Sequence, residues 1–265
     1  DLHRRRHSFP TRRSSDLWLN GSTTSLVDNV TFNGSASSLT VHASNSGKIQ
    51  SLAGAITGGG SNVIGGAVAI NLMGEGSSDF KVTAKINNSR MNSATNVVVD
   101  ADLTGEIGSI AAAGGGSGTN AINGSVTRNL IAGDVSAEIA SLTQNVSASS
   151  LTVQADQSSN IFSFAGVING GGANAVGGAI SVNDIAGTVT AKLGSSSLKT
   201  TGAVQVLAHM DGDIGSVAAA GSGAGNAAVN GSNTTNSVTS SVKAIATSVT
   251  QTTESSSFKV WAHDD

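Results

Sequence analysis

The sequence has no cysteine and no tyrosine, and only one proline and two tryptophans among its 265 residues. The absence of cysteine excludes a disulfide scaffold and thiolate metal sites. No apolar run approaches the length of about 18 residues that a membrane-spanning helix requires. Aromatic residues make up 3% of the chain, so the bulky side chains of an ordinary globular core are missing. The 34 glycines and the many small and branched residues favour thin layers that pack closely and repeat.

The first 17 residues differ in composition from the rest. They contain five of the 14 basic side chains and the single proline. The stretch resembles the read-through of a sequencing adapter, so we interpret residues 1–17 as a non-native scar and expect it to be unstructured. A basic arm for nucleic acid or membranes is the alternative. The remaining chain has nine basic and fifteen acidic residues, so we expect no nucleic-acid partner and no membrane insertion.

A tandem repeat of about 54 residues occupies the rest of the chain. Its clearest markers are five valines that lie 58, 54, 53 and 54 residues apart: Val41, Val99, Val153, Val206 and Val260. Each of the first four is followed at a fixed distance by an isoleucine, an alanine, a glycine and an asparagine. The asparagines, thirty residues after the valines, are Asn71, Asn129, Asn183 and Asn236. We therefore divide the chain into the end of a preceding repeat (18–38) and four tandem β-repeats plus the start of a fifth (39–265).

Within a unit the apolar residues alternate with period two, which is typical of strands. Residues 189–193 have one apolar and one polar face, as a half-buried strand does. In the glycine-rich residues 175–182, one face carries branched side chains and the other only small ones, and we expect both to be dry. Clusters such as 58–62, 170–174 and 194–197 are typical of corners. First and third units resemble each other, as do second and fourth.

These patterns predict an all-β fold, a β-solenoid or parallel β-helix built from the tandem repeats. We expect each unit to hold about four short strands in two coils and to add on the order of 10 Å of rod. The recurring asparagines suit ladders in which side-chain amides bond along the axis. The alternative is a series of antiparallel β-hairpins that form a sandwich or meander.

The motifs of one unit also carry a family resemblance. Residues 189–193 read Val-Thr-Ala-Lys-Leu, residues 204–208 have the pattern Val-x-Val-x-Ala, and residues 177–185 read Gly-Gly-Ala-Ile-Ser-Val-Asn-Asp-Ile. This cycle resembles the repeat regions of large Gram-negative filamentous adhesins, which include leukotoxin-type proteins, filamentous-haemagglutinin-like proteins and autotransporter passengers. The resemblance implies secretion across the outer membrane and a β-helical stalk at the extracellular bacterial surface, with a role in virulence. It further implies multivalent attachment to host-cell or matrix glycoconjugates, with adjacent repeats of the same protein as structural partners.

The sequence predicts no catalytic, cofactor-binding or metal-binding residues, and we expect no enzymatic activity. The acidic residues recur after the valine-bearing strand, where we expect a corner and Asx-turn capping, with a calcium-binding row as the alternative. His42, His209 and His263 stand at unequal offsets from their valines, so we expect exposed histidines and no ligand trio. The alternative function is a carbohydrate-active enzyme on a β-helix scaffold, for which Asp211 and Asp213 are the candidate carboxylates.

Overall fold

The structure is a computed structural model that describes residues 11–34, 37–74, 80–92 and 96–265, with side chains from residue 14 onward. Within these ranges the chain consists of strands and connections, and it contains no helix. It follows that none of the described residues belongs to a helix able to cross a membrane.

Seventeen strands build three sheets. In chain order they are β1 (Thr11–Leu19), β2 (Gly21–Asp28), β3 (Thr31–Phe32), β4 (Ser38–Gly59), β5 (Asn62–Met73), β6 (Phe80–Asn87), β7 (Ser89–Met91), β8 (Asn96–Ser117), β9 (Asn120–Ile139), β10 (Leu142–Gln144), β11 (Leu151–Gly171), β12 (Asn174–Leu193), β13 (Ser197–Leu198), β14 (Ala203–Ala224), β15 (Ala227–Ala246), β16 (Thr250–Gln251) and β17 (Ser257–Asp264). The front sheet contains β4, β8, β11, β14 and β17, and the back sheet contains β1, β2, β5, β6, β9, β12 and β15. The short sheet contains β3, β7, β10, β13 and β16.

The chain winds through the front, back and short sheets in turn, and each strand pairs in parallel with its counterpart one unit away. Val153 pairs with Val99 on one side and with Val206 on the other, so the register follows the sequence repeat. The predicted β-solenoid is confirmed, and the parallel pairing excludes the antiparallel hairpins. Corners fall where expected, at Gly60-Ser61, Gly172-Ala173 and Gly194-Ser195-Ser196.

The prediction of two coils per unit is wrong, because one 54-residue unit makes one coil. It therefore adds about one strand spacing, about 4.8 Å, to the rod. The expected corner after each valine does not exist, since β11 continues without a break through residues 156–160. These polar residues stay in a strand because the inward members find partners: Gln157 Nε2 donates to Ser159 Oγ at 3.1 Å.

The space between the front and back sheets is a wedge whose width follows side-chain size. On the wide side, next to the short sheet, the buried residues are large and aliphatic, such as Leu103, Ile107, Ile131 and Leu193. On the narrow side, next to the corner that joins front and back sheets, the core consists almost entirely of alanine, such as Ala111, Ala165 and Ala179. Small side chains there let the two backbone layers approach each other.

A ladder of asparagines separates the two parts of the core, as predicted. Asn71 Nδ2 donates to Asn129 Oδ1 at 2.7 Å, Asn129 Nδ2 to Asn183 Oδ1 at 2.7 Å, and Asn183 Nδ2 to Asn236 Oδ1 at 2.9 Å. The first three of these residues are fully buried. The Nδ2 groups of Asn71, Asn129 and Asn183 are therefore paired along the axis, in a place where an unpaired polar group costs about 1–3 kcal/mol.

The glycine-rich strands differ from the expectation of two dry faces. In β12 the small face points inward, where Ala175 and Ala179 are fully buried. The branched face points outward, and Val176 and Ile180 are 41% and 43% exposed. The second backbone layer that the small face admits is the front sheet, whereas no part of the described chain covers the branched face.

The N-terminal residues differ from the expectation of an unstructured segment. Residues 11–17 form part of β1, which pairs in parallel with β5, while residues 1–10 lie outside the described residues. The edge of the back sheet explains this pairing, since its free N–H and C=O groups accept an added strand. Further along the chain, β2 pairs in parallel with β6, and β3 pairs in parallel with β7. β2 and β3 therefore occupy the positions of the last two strands of a coil.

Candidate functional site

Histidine and aspartate side chains cluster on the outer surface of the front sheet. They lie one, three or, for Asp265, five residues after the valines of the repeat, and the valines of the first four units point inward. Alternation along a strand therefore turns these positions to solvent. We call this set the His–Asp strip, and it consists of His42, Asp100, Asp102, Asp156, His209, His263 and Asp265.

The first part of the strip joins His42 on β4 to two carboxylates on β8. His42 Nδ1 lies 3.1 Å from Asp100 Oδ2 and 3.7 Å from Asp102 Oδ2. All three ligand atoms lie within 4.8 Å of one another. The separations of 3.1 and 3.7 Å from His42 fit a divalent ion with ligand distances of about 2.0–2.2 Å. The three side chains are 27–46% exposed, so an ion there would keep water ligands, which is typical of weak surface sites.

The second part of the strip surrounds His209 at the other end of the described coils. His209 lies 3.7 Å from Asp156 and 3.4 Å from Asp265, and His263 Nε2 lies 2.8 Å from Asp265 Oδ1. The rings of Trp261 and His263 stack with centroids 5.0 Å apart, and Lys259 Nζ lies 4.8 Å from the Trp261 ring. This arrangement is a small stacked aromatic cluster on an exposed strand.

The three histidines do not form one group. Only His209 and His263 lie close together, with ring centroids 5.7 Å apart. His209 pairs in register with His263. His42 lies three strand spacings away from His209, about 14 Å along the rod. The sequence reasoning missed the contacts between histidine and aspartate, although equal offsets give them: His42 and Asp100 each follow their valine by one residue.

The aspartate rows do not lie at corners, so the prediction of Asx-turn capping is wrong. Asp100 and Asp102 lie inside β8, and Asp156 lies inside β11. Their side chains project from a continuous strand, where an Asx turn has no place. Burial raises the pKa of Asp102 above its usual value, and the neighbouring charges of Asp100 and Asp156 raise it further.

Asp211 and Asp213, the candidate carboxylates of the enzymatic alternative, lie on β14, two and four residues after His209. Backbone hydrogen bonds from Asp265 N to the Met210 carbonyl and from Gly212 N to the Asp265 carbonyl place Asp265 beside Asp211. In register they stand beside Ser158 and Asn160 of β11, so β11 offers them no carboxylate partner. Two grooves on the same sheet, near Gly114 and Gly108, are lined mainly by apolar residues and include neither aspartate.

A second charged group lies on the outer surface of the back sheet, where Glu138 sits between two lysines. Its carboxylate contacts Lys85 Nζ at 2.8 Å and Lys192 Nζ at 2.9 Å. Partial burial alone would raise the pKa of Glu138, but the hydrogen bonds and charges of the two lysines outweigh it and lower the pKa. The alternation of units produces this row, since Glu138 and Lys192 both follow their valines by 39 residues.

Comparison of the chain with known protein families, curated proteins and solved structures finds no match.

Proposed function

We propose that residues 18–265 are a structural and adhesive repeat segment of a secreted or surface-displayed bacterial filamentous adhesin. The segment acts as part of a stalk and offers a multivalent attachment surface, with host-cell or matrix glycoconjugates as partners. The resemblance of its repeat motifs to such adhesins motivates the extracellular location.

The main support is that the residues with the strictest register are those that hold the coils together. The asparagine ladder, the alanine layer and the inward valines recur from coil to coil and contact their own counterparts. Each coil therefore binds the next through nearest-neighbour contacts, as in other solenoids, and the rod lengthens as coils are added.

The experiment is to measure particle length by electron microscopy for chains with four, eight and sixteen units. We expect growth of about 4.8 Å for each 54-residue unit, the spacing between paired strands. A length that does not grow with unit number would exclude the stalk, and growth of about 10 Å would exclude the one-coil unit.

Attachment is tested separately with beads that carry the chain and with glycan-coated surfaces. Retention that rises steeply with the number of chains per bead supports a multivalent surface. Depolymerisation of an acidic polysaccharide, lost on Asp211→Asn or Asp213→Asn, would instead support the enzymatic alternative.

A further inference from the structure

The outer surface of the front sheet, next to the narrow side of the wedge, is exposed and uncharged. We call this region the knob-and-notch face, and it consists of the outward residues of 50–58, 108–116, 162–170 and 215–223. Ile56, Ile168 and Leu52 are 92%, 77% and 73% exposed. A contiguous apolar surface of this kind is typical of an interaction site.

In two rows of this face, glycines in the second and fourth coils alternate with larger residues in the first and third. One row along the axis contains Ile56, Gly114, Ile168 and Gly221, and a second contains Gln50, Gly108, Phe162 and Gly215. In these two rows the first and third coils carry knobs, and the second and fourth carry notches. A row between them carries a large residue in every coil: Leu52, Ile110, Phe164 and Val217. Grooves of about 590 Å³ and 280 Å³ lie at the notches of Gly114 and Gly108.

The glycines of the notches have no steric reason within the chain. A Cβ at Gly221 would meet no atom within 4 Å, and one at Gly114 would meet only the Ile168 carbonyl oxygen, at 3.6 Å. Neither residue has a positive φ. Because glycine weakens a strand, outward glycines with free space around them indicate that another backbone approaches from outside.

We propose that the knob-and-notch face binds the same face of a second copy of this chain, related by a two-fold axis parallel to the strands. This rotation places the first coil of one copy opposite the fourth coil of the other, and the second opposite the third. Each row then faces the same row of the second copy. Ile56 then faces Gly221 of the second copy, and Ile168 faces Gly114. In the neighbouring row, Phe162 faces Gly108. Four alternating coils thus form a self-complementary surface, as an isologous interface requires.

Charge at the border of the face agrees with this arrangement. The next outward row contains Lys48, Glu106, Asn160 and Asp213. The same rotation places Lys48 opposite Asp213 of the second copy and Glu106 opposite Asn160. No like charges meet across the interface, so electrostatics support the pairing.

The area fits a weak but specific dimer. Nine residues span about 30 Å along a strand and four strands span about 19 Å across the sheet, so the face covers about 570 Å². Two copies together bury about 1,100 Å², close to the lower limit of about 1,200 Å² for stable protein interfaces. We therefore expect association at micromolar or higher concentration. The pairing goes beyond the proposed stalk, because it gives a rod a lateral partner.

A swap of one knob and one notch tests the proposal by sedimentation equilibrium of the whole chain between about 1 μM and 1 mM, the range in which an interface of this size associates. Ile56→Gly removes a knob, and Gly221→Ile fills the notch that faces it. Each single variant should weaken dimerisation by at least about tenfold, because exposed isoleucine loses its burial or clashes. The double variant exchanges knob and notch, and dimerisation should return to within about threefold of the original chain.

Gly231→Ile is the matched control, since Gly231 lies on the outer surface of the back sheet and a Cβ there also meets no atom within 4 Å. It should leave dimerisation unchanged, and circular dichroism should show all variants folded. A chain that stays monomeric to 1 mM overturns the proposal, as does association that the single variants leave unchanged. If the single variants associate as strongly as the original chain, the association comes from the open edges of the sheets. Neither result affects the rod length per unit, so the stalk is tested independently.

Discussion

At the scale of single residues, the asparagine ladder gives the sharpest expectation. Asn129→Leu keeps the approximate volume but leaves Asn71 Nδ2 and Asn183 Oδ1 without their partner. Both groups are buried, and each unpaired group costs about 1–3 kcal/mol. We expect the free energy of unfolding to fall by about 3 kcal/mol, measured by urea denaturation.

Asn145→Leu is the control for this variant. Asn145 Nδ2 donates to Asn92 Oδ1 at 2.5 Å in a second ladder, but that ladder is exposed to solvent. Water replaces the lost amide there, so we expect a change within about 0.5 kcal/mol. Equal losses in the two variants would show that burial of the ladder does not determine its contribution.

The contribution of Glu138 to the free energy of unfolding should depend on pH. Its folded-state pKa is lowered, so its contribution to stability is present above the usual glutamate pKa of about 4.5 and is lost as the pH falls through the folded value. Glu138→Gln should reduce the free energy of unfolding at pH 7 by about 1 kcal/mol, a small value because solvent screens the lysines. The difference from the original chain should disappear near pH 3, as measured by thermal unfolding across this range.

Glu106→Gln provides the comparison, because Glu106 pairs with Lys48 at 2.7 Å and its side chain is 49% exposed, against 18% for Glu138. Its effect at pH 7 should not exceed about 0.5 kcal/mol. A Glu138→Gln effect that persists unchanged to pH 3 would contradict an origin in the ionised carboxylate.

The residue scale also shows what sequence patterns convey and what they miss. Asn129 was predicted to stack on Asn71 and Asn183 because one residue type recurs at one offset. The Lys85–Glu138–Lys192 row escaped the same reasoning, since unlike residues share the offset. Identical residues at one offset in every unit indicate interior positions, because there each residue packs on its own counterpart. Charged rows on the outer surface instead need residues of opposite charge at the same offset.

At the scale of elements, the sequence predicts about four short strands in each unit, and the front and back strands are much longer than expected. The front and back strands of 20–22 residues are much longer than the usual 3–10. The acidic residues after the valine-bearing strand, such as Asp156, predict a corner there, but Asp156 and the polar residues 157–160 that follow it stay in strand β11. They stay in β11 because its neighbours β8 and β14 satisfy the backbone on both sides, which no local pattern reveals.

Inward and outward glycines of one strand should respond differently to substitution. A Cβ at Gly187, on the inner face of β12, would lie 2.6 Å from Gln157 Oε1 and 2.8 Å from the Gly133 carbonyl oxygen. Gly187→Ala must displace the buried Gln157 or the backbone, so we expect a loss of about 2 kcal/mol in urea denaturation.

Gly178→Ala is the matched control on the same strand, since a Cβ there points to open space. We expect it to be neutral or to stabilise the chain by up to about 1 kcal/mol, because alanine restricts the unfolded state. A loss comparable to that of Gly187→Ala would mean that the outward glycines are required within the chain itself. That result would also weaken the argument for an external partner at the notches.

At the scale of the whole molecule, the alternation of units becomes an energetic property of the stack. Units of one type carry Lys85 and Lys192, and the unit between them carries Glu138, so opposite charges meet at the two steps that join these three residues. Elsewhere the alternation leaves like charges together: burial raises the pKa of Asp102, and the charges of Asp100 and Asp156 beside it raise the pKa further. In the row of Lys85, Glu138 and Lys192, the two-unit period therefore keeps like charges apart.

Duplication of coils tests this property. Inserting a second copy of residues 151–203 adds one coil and places one Lys192 directly on another, with no glutamate between them. Inserting a second copy of residues 97–203 adds two coils and keeps the order of lysine and glutamate. In a solenoid, stability is approximately a sum of unit and nearest-neighbour contributions.

We therefore expect insertion of two coils to raise the free energy of unfolding by more than twice as much as insertion of one coil, as measured by urea denaturation. Because salt screens exposed charges, the excess should shrink at 1 M ionic strength. Strictly proportional gains at low salt would show that the alternation does not contribute to stability, and its role would then be confined to the surface that the knobs and notches form.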